Sequence, residues 1–246
     1  MDADWRPAWR VAAVPSYKAH RVGQGVSEAV PEELTTQVPL IGAVLDALGI
    51  ARLGVAGYEA DDVIATLAAA ATVPADVVTG DRDLFQVVDD ARGVRVLYIA
   101  RGVARHEVVD EAAVTARFGI PGRAYAEFAL LRGDPSDGLP GVVGIGARSA
   151  AQLIARHGCV EAVLAAADAA SGMPEPLRRR VTAARSYLAA AAPVVRVVTD
   201  VPVPPLDDRL PPTPPDPAAF VALADGLRLD PSFNRLLRAM ARQTGS

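Results

Sequence analysis

Between residues 50 and 107 short apolar runs alternate with helix-patterned ones, and after residue 107 the helical pattern takes over. No other feature of the chain limits its fold so strongly. Residues 50–55, 76–79 and 94–99 read as strands, being short, apolar and rich in Val and Ile. Residues 60–71 and 82–88, which lie between them, read as helices. Strands that alternate with helices build a parallel sheet with crossover connections. Ligands of such sheets gather at the carboxyl ends of the strands. Beyond 107, residues 109–118, 123–132, 147–157, 160–170 and 175–192 read as helices joined by short Gly- and Pro-marked turns. A strand could return at 194–199. The proline-rich stretch 201–217 reads as an extended connector. Helices at 216–227 and 231–242 close the chain, with Asp216 and Asp230 as caps. Upstream, Pro31, Glu32 and Glu33 open a helix that Gly49 ends, and Val38, Ile41, Val44, Leu45 and Leu48 recur along it at helical spacing. Residues 15–24 read as loop or an ill-defined helix.

Composition narrows the function. A chain of 246 residues suits two domains and can bury a core without disulfides. Its one cysteine, Cys159, rules out an internal disulfide and a cysteine-based zinc site, and reads as a small buried hydrophobe in a reducing compartment. The first residues lack the basic start and apolar core of a signal peptide. No uninterrupted apolar run approaches the roughly 18 residues of a membrane span. A net charge of −4 argues against a non-specific cationic nucleic-acid binder, while leaving room for a local basic groove. The 25 basic residues include a single lysine, Lys18.

Acidic residues cluster where the pattern places loops and helix starts. Glu59, Asp61 and Asp62 follow one strand, Asp81 and Asp83 follow another, and Asp134 and Asp137 occupy a Gly/Pro loop. Any one of these is an ordinary helix cap or turn residue. Together they put seven carboxylates on one rim, where they would repel one another unless cations neutralised them. Mg²⁺ takes oxygen ligands. A pair of such ions about 4 Å apart suits in-line attack on a phosphodiester. Asp2 and Asp4 add a further acidic pair near the N-terminus.

Two more segments suit phosphate. Gly141, Gly144 and Gly146 precede a helix, in a hairpin whose backbone N–H groups can approach a phosphate, with Arg148 nearby. A dinucleotide fingerprint does not fit, since no strand precedes the loop and Ser149 stands at the third glycine position. The segment 10–21 carries Arg10, Tyr17, Lys18, His20 and Arg21. A solvated loop is its plain reading. A phosphate-handling segment is the sharper one, with Tyr17 placed to stack on a base. The lone lysine favours the second, because a compact ammonium does not substitute freely for a guanidinium at a reacting phosphate.

These strings resemble the 5′-nuclease superfamily, and most closely the bacterial 5′→3′ exonucleases related to the N-terminal domain of DNA polymerase I and to flap endonucleases. The match rests on Tyr-Lys-Ala-His-Arg at 17–21, Tyr-Glu-Ala-Asp-Asp at 58–62, Gly-Asp-Arg-Asp-Leu at 80–84 and the Gly-Asp-Pro-Ser-Asp run at 133–146, all collinear. The resemblance implies an α/β fold: a PIN-like parallel-sheet nuclease domain, here 1–107, followed by an all-α helix-hairpin-helix (H3TH) domain with a helical extension, here 108–246. It implies hydrolysis of DNA at 5′ ends and flaps by two Mg²⁺ or Mn²⁺ ions in replication and repair.

By position, Asp2, Glu59, Asp61, Asp62, Asp81, Asp83, Asp134 and Asp137 match the metal-binding set, with Asp4 competing for the place of Asp2. Lys18 and Arg21 match the basic pair at the scissile phosphate. Arg10, Tyr17, Gly144, Gly146 and Arg148 would contact DNA, with a monovalent cation such as K⁺ at the hairpin. A cytoplasmic, nucleoid-associated enzyme working beside a DNA polymerase in trans is expected, with no membrane partner.

Two departures stand out. Position 138 is Gly where Asn is usual, in a place not expected to be essential. The family's opening strand, which ends in Asp, and the helix after it have no counterpart before Asp2. The rival reading is therefore a catalytically impaired, structure-specific DNA-binding protein. A small-molecule phosphatase built on Asp81 and Asp83 is disfavoured, because no lysine follows residue 18.

Overall fold

The computed structural model describes residues 1–23, 29, 31–170, 172–227 and 230–242. They form two compact units, each discontinuous in sequence. The larger comprises Asp2–Arg21 and Gly54–Val203; the smaller comprises Met1, Val22–Leu53 and Pro204–Ser246.

The larger unit is built on three strands. β1 (Ala75–Thr79) pairs in parallel with β2 (Val94–Tyr98), and β2 pairs antiparallel with β3 (Glu107–Val109). The register aligns Val77, Val96 and Val109, so these residues share one face with Val94 and Tyr98, and that face is buried. On the opposite face Asp76 meets Arg95 directly across the strands at 2.6 Å, and Val78 and Val108 are exposed. Phe85, in the 3-10 turn Asp83–Val87 that follows β1, is fully buried and meets Tyr98 and Tyr125 edge-on at 5.2 and 5.5 Å. Helices extend the same core: α1 (Ala8–Ala13), α3 (Ala60–Ala70), α4 (Glu111–Phe118), α5 (Tyr125–Arg132), α6 (Ala147–His157), α7 (Val160–Asp168), α8 (Glu175–Ala183) and α9 (Arg185–Val195).

The smaller unit holds α2 (Glu32–Leu48), α10 (Pro217–Leu227) and α11 (Asp230–Arg242) around Leu48, Phe220, Phe233 and Met240. Gly49 ends α2 in the left-handed conformation, as expected, and its N–H caps the Asp46 carbonyl. Asp216 caps α10 by accepting from the Ala219 N–H at 2.9 Å. The cap expected of Asp230 lies outside the described side chains.

Several expectations change. Residues 50–55 form no strand; no described strand offers their backbone a ladder, and a lone apolar segment of that length does not hold a β conformation. Residues 194–199 form none either, because α9 runs on to Val195 before the chain leaves it extended. The helix read at 109–118 begins later. Asp110 accepts from the Ala113 N–H at 2.8 Å and caps α4, which leaves Glu107–Val109 to pair with β2. The sheet is therefore mixed, and the boundary expected at 107/108 falls inside β3. The helix read at 175–192 is two helices, broken at Ala184, where ψ turns to 1°.

Candidate active site

A buried ionic network supports the site. α1 turns Arg10 inward, and the Trp9 indole fixes that helix by donating to the Gly57 carbonyl at 3.0 Å. Arg10 donates to Glu59 at 2.6 Å and to Asp62 at 2.7 Å, and these side chains are 2%, 5% and 0% exposed. The Tyr17 hydroxyl donates to Glu59 at 2.8 Å, and Lys18 Nζ reaches Glu59 Oε1 at 2.9 Å. Asp62 also accepts from the N–H groups of Glu59 and Val198, at 3.2 and 2.9 Å. Burial pushes the Glu59 carboxyl up, while Arg10 and Lys18 pull it back. Burial and then the Glu59 charge push the Tyr17 phenol up, so it stays protonated and donating. Pairing of this density is what lets charges persist in a low-dielectric interior.

The network engages several of the expected site residues. Arg10 and Tyr17 are each 2% exposed and bonded to carboxylates. Glu59 and Asp62 have oxygens engaged by Arg10, Tyr17, Lys18 and backbone N–H groups at the first turn of α3.

The other acids form the rim. Asp61 stands in the first turn of α3. Asp81 follows β1 and accepts from the Asp83 N–H at 2.9 Å. Asp134 accepts from the N–H of Ser136 at 2.9 Å and from its hydroxyl. The competing N-terminal acids separate: Asp2 accepts from the Ala60 N–H at 2.6 Å, beside Asp61, whereas Asp4 caps the Arg6 N–H at 3.3 Å. Burial first, then Asp81 and Glu59, push the Asp61 carboxyl up to about 7, against the pull of Lys18. Asp83 is pushed well above the usual carboxylate range by burial, then by Asp81, Asp137, Asp134 and Asp61.

Among the described residues no three acidic, His or Cys side chains close into a ready metal cage. The rim is a field of hard oxygen donors that Arg21 and Arg132 neutralise only in part. Such donors suit a small divalent cation, which would offset the burial and then the repulsion that raise Asp61 and Asp83.

Lys18 and Arg21 reach the rim from the segment below it. Arg21 Nη2 donates to Asp137 Oδ1 at 2.8 Å and to the Ser136 carbonyl at 2.6 Å. The Lys18 backbone N–H donates to the Asp137 carbonyl at 2.9 Å, with Lys18 itself at φ 48°. Gly138 makes this seam close. It sits at φ 71°, and a Cβ there would lie 2.2 Å from the Ser16 carbonyl oxygen. The exchange of Asn for Gly at 138, taken from sequence as unimportant, is thus a steric requirement here. Arg132, missed from sequence, pairs with Asp134 at 3.0 Å. Its place immediately before Gly133 and Asp134 was the available signal.

The glycine hairpin lies between α5 and α6. A Cβ on Gly141, at φ 67°, would stand 2.4 Å from the Gly133 nitrogen, so the two strands of backbone touch. Gly146 is the N-cap of α6 in open surroundings, Arg148 is exposed in the first turn, and the Gly144 carbonyl accepts from Arg180 at 3.1 Å. Val143, at the tip, is 85% exposed.

The chain matches the family model of the 5′-3′ exonuclease N-terminal resolvase-like domain over residues 1–119. It matches that of the 5′-3′ exonuclease C-terminal SAM fold over residues 120–218. A 5′-3′ exonuclease of Streptomyces coelicolor is 56% identical over 246 residues, which is 98% of this chain and 82% of that protein. The chain belongs to the 5′-3′ exonuclease family. Another family member, from Mycobacterium tuberculosis, is 50% identical over 255 residues, covering 98% of this chain and 80% of the relative.

Among solved structures, the bacteriophage T5 5′-exonuclease with bound zinc superposes with a TM-score of 0.59 at 18% identity, covering 77% of this chain and 70% of that one. A T5 flap endonuclease in a pseudo-enzyme–product complex with DNA and metal ions gives 0.59 at 15% identity, over 96% and 80%. For this 5′-3′ exonuclease family member the fold is therefore a resolvase-like α/β nuclease domain followed by a SAM-like helical domain. The two family models meet at residue 119, just past α4. No described helix is long and apolar enough to cross a membrane.

Proposed function

We propose that this chain hydrolyses DNA phosphodiester bonds at 5′ ends and 5′ flaps, using two Mg²⁺ or Mn²⁺ ions held by Asp2, Asp61, Asp81, Asp83, Asp134 and Asp137. The observation that carries the reading is the surroundings of Asp83. Four acids, drawn from three segments far apart in sequence, bear on that one carboxyl. A bound pair of cations would supply an activated water and stabilise both the attacking and leaving oxygens. The residues of the chain do the rest. Glu59 and Asp62, locked on Arg10, hold the first turn of α3 so that Asp61 faces the rim. Lys18 rests on Glu59 and Arg21 on Asp137. Each can exchange that carboxylate for a phosphate oxygen and stabilise the charge that develops there. The Gly144–Gly146 hairpin and Arg148 would hold the duplex through its backbone at the start of α6. K⁺ at that hairpin would share the Gly144 carbonyl with Arg180. A DNA polymerase acting in trans suits such an enzyme as the source of its flaps.

The test is cleavage of a 5′-flap substrate in Mg²⁺ by the chain and by Asp81→Asn/Asp83→Asn. The double variant should lose cleavage and keep most of its binding; cleavage at the parental rate would refute the reading. A parent chain that binds flaps without cutting them in either metal would be a structure-specific DNA-binding protein instead.

A further inference from the structure

Lys18 is one of two residues other than glycine at positive φ among the described residues, and its 48° lies in the left-handed region. A side chain there is strained, and the conformation persists only where the surroundings fix it. The carbonyls of the turn that carries Lys18 show what fixes it. Those of Val14, Ser16 and Lys18 accept from the N–H groups of Tyr17, Ala19 and Arg21 at 2.9, 3.1 and 3.0 Å. Those of Pro15 and Tyr17 meet no backbone N–H among the described residues. Arg6 takes both: its Nε donates to the Tyr17 carbonyl at 2.6 Å and its Nη2 to the Pro15 carbonyl at 3.2 Å.

The first of these bonds reaches the site through a single peptide group. The Tyr17 carbonyl and the Lys18 N–H lie in one rigid plane. Arg6 holds the oxygen end of that plane, and the Asp137 carbonyl holds the N–H end at 2.9 Å. With both ends gripped, the plane cannot rotate, and the direction in which the Lys18 side chain leaves the backbone is set. The segment around Arg6 is itself tied to the site. Asp4 accepts from the Arg6 N–H at 3.3 Å, and the Trp5 carbonyl lies 3.4 Å from Lys18 Nζ, which goes on to Glu59 at 2.9 Å. The bonded partners of the Arg6 guanidinium are carbonyls and not carboxylates, so it places backbone and leaves the acidic charge of the site unaltered. A planar fork suits two acceptors at once, which a lysine ammonium on a flexible stem does not match. We infer that Arg6 is a positioning residue for Lys18, aiming it at the phosphate through the peptide between residues 17 and 18. This rests on reading Lys18 as a phosphate contact.

The experiment is single-turnover cleavage of a saturating 5′-flap substrate in Mg²⁺ by the full chain, Arg6→Ala, Lys18→Ala and the double variant. Flap binding is measured beside it in Ca²⁺. Arg6→Ala should cleave about 10-fold more slowly while its flap affinity stays near that of the parent. Arg6→Lys, which can keep one of the two carbonyl bonds, should fall between Arg6→Ala and the parent. The double variant should be no slower than Lys18→Ala, because a residue that acts through another adds nothing once the other is gone. A parental rate in Arg6→Ala would overturn the inference. So would losses that multiply in the double variant, which mark a general structural role. If Arg6→Ala melts too low to assay, Arg6→Lys alone and with Lys18→Ala completes the same cycle. If the parent does not cut, or Lys18→Ala cuts at the parental rate, the reading of Lys18 fails and takes the inference with it. If Lys18→Ala is slow and Arg6→Ala is not, only the inference fails.

Discussion

Asp61 ties the stability of the chain to pH with a definite sign. Its carboxyl is held near 7 in the folded protein, against 3.8 in the unfolded chain. Between those values the folded state binds more protons, so stability falls as pH rises from about 4 to about 7 and then levels off. Asp83 acts in the same direction. The carboxylates that arginines hold low, Asp76, Glu107, Glu161 and Asp207, lose their stabilising contribution only as pH falls below their ordinary values, at the acid edge of this window. The metal-free protein should therefore melt higher at pH 5 than at pH 8, and Mg²⁺ should remove most of the difference. Scanning calorimetry at the two pH values, with and without Mg²⁺, checks this; a metal-free protein more stable at pH 8 would contradict it. Gly138 carries a second residue-scale expectation. Gly138→Ala meets both a left-handed backbone and a carbonyl at 2.2 Å. It should cost about 2 kcal/mol or more, measurable by urea unfolding, and slow cleavage through displaced Lys18 and Asp137.

Among the elements, an ionic clamp joins α5, α7 and α9. Arg196, at the end of α9, donates to Glu127 of α5 at 2.7 and 3.0 Å and to Glu161 of α7 at 2.7 Å. Glu127 also accepts from the Val160 N–H at 2.9 Å, where α7 begins. Arg196→Ala removes a half-exposed pair and should cost about 1 kcal/mol. Glu127→Ala also strips the cap from α7 and should cost roughly twice that, as paired thermal melts would show. This clamp was not legible in the sequence, because its three residues are separated by 34 and 35 positions and carry no local signal. Elements defined by local chemistry were legible. The Gly49 stop, the Asp216 cap and the helix periodicity of α2, α6 and α7 appear where the pattern placed them. Strands were harder. The Ile50 to Val55 run has strand composition, but a strand exists only with a neighbour. β3 is three residues long and its pattern merges with that of α4.

For the whole molecule, the acidic balance makes DNA binding conditional. A net charge of −4, concentrated in part on the rim, repels phosphate unless cations sit there. Duplex affinity should fall severalfold when EDTA replaces Ca²⁺, with filter binding at fixed ionic strength as the measurement; equal affinity in both would place the duplex away from the rim. Motif order in the sequence singled out the acids of that rim, although only Asp81 and Asp83 follow a described strand. It could not sort those acids into inward and outward. That division depends on Arg10, whose burial follows from how α1 packs and not from its neighbours in the chain.

The seam between residues 16–18 and 134–138 has a bearing on how such an enzyme can be rebuilt. A loop carrying two acids and a segment carrying a lysine and an arginine share a backbone hydrogen bond, the Arg21 side-chain bonds and one glycine-sized gap. They are halves of one part. A graft of either half from a relative, with its own residue at 138, imports a side chain for which the other half has left no room, so the two must be transplanted together.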